Sequence, residues 1–226
     1  MSTDRRSFLT QLGAGVTVAG GALASGVSLA NAQSASGTFS PARHAQDDWM
    51  DKIPGRHRLV IDTTNPASFG AALAYANNFL AASKEYGLND QDNAVIIIAR
   101  HFSTPFAYND AIWAKYGKAM PPMVVLDDPK TKQRPVINLF AASGYDDLPN
   151  MGTTIPEVLQ KGVHFAVCNL ATTFFAGFVA QATGSTQAVV YKELTSNLIG
   201  NAHMAAAGII AVNRAQERGF TLTTAT

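Results

Sequence analysis

Cysteine occurs once in this 226-residue sequence, at position 168 within the stretch HFAVCNLATTFFAG. A thiolate is a nucleophile, a sulfur carrier and a metal ligand, and its surroundings decide how readily it forms. HFAV reads as a strand and the residues after the cysteine as a helix. Cys168 therefore stands where free backbone N–H groups and the positive end of a helix dipole favour a negative charge. Asn169, next in the chain, is of a type that caps helices. His101 follows the apolar run AVIIIAR and opens a loop, where an imidazole can serve a thiol as base, contact an anion or ligate a metal. His203, in NAHM, and Thr64, after LVIDT, stand at the ends of two further apolar runs. Cys168, His101 and His203 together would make a thiolate and two imidazoles for a transition metal or haem, although no close-spaced ligand pair marks such a site. The alternative for Cys168 is a small buried hydrophobe, the usual fate of a free cysteine. His57 and His164 lie at the amino ends of their runs and read as structural.

The elements that must carry these residues follow from periodicity. RHRLVIDTT and NAVIIIAR hold short, nearly unbroken β-branched runs, the pattern of strands buried on both faces. Between them FGAALAYANNFLAASKEYG repeats apolar residues at helical spacing and stops at Gly87. The short helix AIWAKYG follows the second strand, and its aromatic-rich surroundings, residues 106–117, read as core or subunit contact. TTIPEVLQKG predicts a helix with Pro156 in its first turn, leading into the third strand, VHFAVCN. Helices follow at LATTFFAGFVAQATG and VVYKELTSNLIG, a short fourth strand near NAHM, a helix ending in Gly219 and a last edge strand, FTLTT. This alternation predicts an α/β fold: three layers, α/β/α, around a mainly parallel sheet of about five strands. Ligands in such sheets sit outside the carboxyl ends of the strands, which is where Asp62 to Thr64, Arg100 to Phe102, Cys168, Asn169, Asn201 and His203 fall. Residues 118–150 break the pattern and read as a long excursion, with a hairpin between MVVL and VINL about the turn DDPKTK. An excursion of that length suits a functional loop or a neighbour contact.

Residues 1–32 read as an export signal. TDRRSFL matches the twin-arginine pattern through Arg5 and Arg6, a weakly apolar run follows, and Ala30 to Ala32 fit small-residue cleavage. Uncleaved, the same run is long enough to serve as an anchor. Such signals are read by a translocase, so the expected location is periplasmic or otherwise extracytoplasmic. Residues 33–54 read as an N-terminal arm whose Trp49, Met50 and Ile53 pin it to a single domain at 55–226. Removing the signal takes two of 17 basic and one of 16 acidic residues and leaves 15 of each. No clustered basic face points to nucleic acid. One cysteine in an oxidising compartment leaves packing alone to hold the fold. The glycine pattern of dinucleotide sites is absent, and no cofactor is expected.

Three stretches resemble the DsrE/DsrF-like family. HRLVIDTTNPASFGAALAYANNFL is similar to its opening strand and helix, GVHFAVCNLATTFFAG to its cysteine-bearing strand and helix, and AAAGIIAVNRAQERGFTL to its closing helix and strand. The resemblance spans most of residues 56–224, leaving out 118–150, and narrows to exported, twin-arginine members. It implies a three-layer domain assembled as trimers or hexamers. It also implies a sulfur relay in which Cys168 carries a persulfide between a donor and an acceptor, either proteins or small sulfur compounds. The uncharged helix NLATTFFAGF departs from relay members, which often carry arginines there. A non-catalytic binding or assembly module that works through the 118–150 loop is the expectation of a different class.

Overall fold

A computed structural model describes residues 40–124 and 126–226. The twin-arginine segment lies outside the described residues. Five strands form one sheet: β1 (His57–Thr63), β2 (Asn93–Ala99), β3 (His164–Cys168), β4 (Ala202–Ala205) and β5 (Thr221–Thr224). Seven α-helices accompany them among the described residues: α1 (Trp49–Lys52), α2 (Pro66–Ser83), α3 (Asp110–Tyr116), α4 (Ile155–Gln160), α5 (Asn169–Thr183), α6 (Gln187–Ser196) and α7 (Gly208–Gln216). The sheet is wholly parallel, in the order β4-β3-β2-β1-β5. The fold is therefore the expected α/β type, with helices on both sides of the sheet.

That strand order decides which helix covers which face. Crossovers between parallel strands are right-handed, so steps in one direction put their helices on one face and a reversal puts them on the other. β1, β2, β3 and β4 advance in one direction. The connection from β4 to β5 runs back across the whole sheet. Accordingly α2 to α6 bury Phe69, Leu73, Trp113, Val158, Phe175 and Leu194 against Ile61, Ile97, Phe165 and Val167 on one side. On the other side α7 packs Ala211, Val212 and Ala215 against Val60, Ile96, Ile98 and Ala166. The arm closes this second core. It is not extended throughout: a 3-10 turn at Ala45–Asp47 and then α1 set Met50 and Ile53 into the core. The Arg58 guanidinium fixes it by donating to the carbonyls of Ile53, at 3.1 Å, and Met50, at 3.5 Å.

Local chemistry sets the helix starts. Asn65 and Ser68 cap α2 reciprocally, with Pro66 in its first turn, and Thr154 and Glu157 do the same for α4. Gly87 and Gly184 end their helices in the left-handed conformation. The hairpin expected within 118–150 is not there: among its described residues no strand forms. The DDPKTK turn does close, with Asp128 accepting from the Lys130 amide at 2.8 Å. Pro121, Pro122 and Pro135, however, remove ladder donors from both flanks. The excursion is instead cladding for the larger core, which receives Met120, Val124, Leu139, Phe140 and Leu148. Asn138 anchors it by donating to the carbonyls of Phe106 and Tyr108 at 2.8 and 3.0 Å. The aromatic segment before it is core as well, with Phe106, Tyr108, Trp113 and Tyr116 all buried.

Candidate functional site

Alternation along the strands places the chemistry. Phe165 and Val167 of β3 face the larger core and Ala166 the smaller one, so Cys168 points to the α7 side. By the same parity Asp62, at the end of β1, and Arg100, just past β2, point there too. The chain then divides. From Cys168 it enters α5 on one face, and from Ala205 it enters α7 on the other. Such a divergence is the switch point at which open parallel sheets leave a crevice. A cavity of about 410 Å³ lies there, walled by Phe102, Met123, Leu170, Phe174 and Ile209, with Cys168, Arg100 and His101 also lining it.

Cys168 is itself the N-cap of the 15-residue α5, its Sγ accepting from the Ala171 amide at 3.4 Å. The residue is 7% exposed and lines the cavity. This corrects the expectation that Asn169 is the cap. Asn169 is the first helical residue, and its Oδ1 accepts from the Tyr191 hydroxyl at 2.7 Å, tying α6 to α5. Behind the cysteine, the buried Tyr108 hydroxyl donates to Thr172 Oγ1 at 2.9 Å, and Thr172 donates to the Cys168 carbonyl at 3.0 Å. Burial pushes the Tyr108 phenol well above its ordinary value, so it stays a donor.

Arg100 and Asp62 form a bidentate pair, Nε to Oδ1 and Nη2 to Oδ2, both at 2.7 Å. The pair raises the Arg100 pKa, chiefly through the hydrogen bond to Asp62, with a smaller contribution from a charge on Cys168. Arg100 also requires Gly208 at the start of α7, where a Cβ would stand 2.3 Å from Arg100 Cβ. The remaining Arg100 nitrogen, Nη1, lies 3.1 Å from His101 Nδ1. Guanidinium only donates, so Nδ1 must accept and the neutral ring carries its proton on Nε2. His101 is thus a donor toward its surroundings and not, in this arrangement, the general base for Cys168. Its φ of 53° is unusual for a residue with a side chain. Such conformations cost on the order of 1–3 kcal/mol and gather at functional sites. Here the Phe102 amide donating to the Thr64 carbonyl at 2.9 Å holds the turn.

Of the residues expected at the site, Cys168 and His101 come together there. Thr64 takes part through its backbone, its amide also donating to Ser68 Oγ at 2.9 Å. His203 does not join them. Paired in register with Ala166, it stacks on Trp49 with ring centroids 4.1 Å apart, and its Nε2 lies 3.3 Å from His164 Nδ1. The metal set of Cys168, His101 and His203 is therefore not assembled, and no group of three His, Cys, Asp or Glu side chains among the described residues is placed to hold a metal. Asp62 and Arg100 are expected on this edge with no role assigned, and their pairing is what the structure adds. Their signal was parity with Cys168 at neighbouring strand ends, which becomes readable once strand register is known.

Fold and site together define a parallel α/β protein with a thiol lining a ligand-sized cavity at the switch point of its sheet. Comparison with protein-family models, curated proteins and solved structures gave no match. Among the described residues no helix is long and apolar enough to cross a membrane.

Proposed function

We propose that the protein is a single-thiol sulfur carrier, an exported DsrE/DsrF-like relay protein working through Cys168. One observation carries the reading: Cys168 caps the start of α5 and lines the switch-point cavity, so the chain's single thiol is placed to meet a ligand there. The amide of Ala171 and the helix dipole favour negative charge on such a sulfur. Arg100, held by Asp62, keeps two N–H groups, and His101 Nε2–H supplies a further donor for a terminal sulfur.

The transfer needs no outside oxidant. The Cys168 thiolate attacks the outer sulfur of a donor persulfide and forms a new S–S bond. The donor's own S–S bond breaks and the donor leaves as a thiolate. An acceptor thiolate then takes the outer sulfur by the same exchange and restores Cys168. Mass spectrometry after incubation with polysulfide tests this. One added sulfur atom on the peptide bearing Cys168 is expected in folded protein and is lost in Cys168→Ala. An equal adduct on urea-unfolded protein would show that the fold contributes nothing.

A further inference from the structure

The cavity's walls bear on which donor it admits, an inference that rests on the carrier reading. Five large apolar side chains ring one opening and remain in solvent: Leu170 is 67% exposed, Ile209 59%, Phe174 51%, Met123 46% and Phe102 36%. Single exposed hydrophobes are ordinary, but a contiguous set around a cavity marks a binding surface. Polar provision is sparse. Arg100 commits three of its five N–H groups to Asp62 and His101 and keeps two, and His101 adds its Nε2–H.

An inorganic oxoanion such as thiosulfate gives up strong hydration on entry and gains nothing from the five apolar walls. An organic persulfide gains by covering them. Its terminal sulfur meets Cys168 and His101, while an alkyl or aryl body replaces water along Leu170, Phe174 and Ile209. The volume, about 410 Å³, lies within the range of small-molecule pockets and far exceeds what a bare sulfur chain would occupy. We infer that the cavity selects small organic persulfides with an apolar body as sulfur donors. In the balanced step Cys168–S⁻ and R–S–SH give Cys168–S–SH and R–S⁻, with the R group held on the apolar wall.

Two measurements on the full chain test this. The first separates binding from chemistry by using Cys168→Ala and a series of 1-alkanethiols from propyl to octyl in calorimetric titration. Affinity should rise about fourfold per methylene until the cavity is filled, the worth of burying each CH₂, and Phe174→Ser should flatten the rise. Affinity that does not change along the series overturns the inference. So does failure to bind in protein that sediments as more than one chain, because the opening is then covered by a second copy. The second measurement compares hexyl persulfide with inorganic polysulfide on unsubstituted protein. At least tenfold faster labelling of Cys168 by the organic donor is expected. Equal rates overturn the donor class and leave the carrier reading standing. No adduct from either donor removes the carrier reading, and this inference with it.

Discussion

The two ends of strand β3 carry very different chemistry on the same side of the sheet. Cys168 and His164 are four residues apart and share parity, so both point toward the α7 side. At the carboxyl end α5 and α7 leave to opposite faces, which opens a cavity beside the thiol. At the amino end the arm folds over instead: Trp49 stacks on His203, whose ring lies beside that of His164. What separates the two is the path of the chain around each side chain and not the side chains alone. One end holds its charges in a fixed pair beside open space. The other covers neutral rings with an aromatic one.

If the carboxyl end owes its geometry to fixed charges, breaking them should cost most. Asp62→Ala leaves the Arg100 guanidinium largely desolvated without its partner. Breaking buried pairs in this way costs about 3–5 kcal/mol. Arg100 retains some exposure, with its side chain at 17%, so the lower end, about 3 kcal/mol, is expected in urea unfolding. A loss under about 1 kcal/mol would assign the pair to the surface class, and the carboxyl end would need another explanation for its order. Thr172→Val should cost less, about 1–3 kcal/mol, because it leaves the buried Tyr108 hydroxyl without an acceptor. Thr172→Ser restores the acceptor and should recover most of the loss. No recovery would assign the effect to packing of the methyl group.

Much of this comparison was readable before the fold. The β-branched runs 59–61 and 95–98 announce buried parallel strands, and the helix stops at Gly87 and Gly219 both take the left-handed conformation. The position of Cys168 at a strand end before a helix followed from local pattern alone. What stayed hidden depended on register and strand order. Asp62 and Arg100 belong to neighbouring strands 38 positions apart, and nothing local says that their side chains meet. His164 and His203 are 39 positions apart and looked unrelated. Asn169 reads as the cap because asparagine is the commoner capping type, yet the helix begins one residue earlier, at Asn169 itself, and the thiol takes the role. The 118–150 segment reads as a hairpin because MVVL and VINL are strand-like in composition, while prolines beside them deny the ladder its donors.

The amino end should show the smallest effect and the clearest sign. Burial lowers the pKa of both His164 and His203, and the neighbouring His203 lowers that of His164 further. Their nitrogens, 3.3 Å apart, share one proton when both rings are neutral and oppose two N–H groups when both are charged. Attraction of an imidazolium to the Trp49 face works the other way, but such contacts are worth only about 0.5–1 kcal/mol at exposed sites. The folded chain therefore binds fewer of these protons than the unfolded chain, whose imidazoles titrate near 6.5. Stability from the pair is fully present above about pH 6.5 and is lost as pH falls through the lower folded values. Melting temperature should thus decline between pH 7 and pH 5.5, and His203→Gln should decline less over the same interval because it removes one titrating ring and its repulsion. The difference between the two slopes isolates the pair from carboxylates, which titrate mainly below this window. Parallel slopes would mean that the rings protonate freely beneath Trp49, and the contrast between a covered amino end and an open carboxyl end would then rest on Cys168 alone.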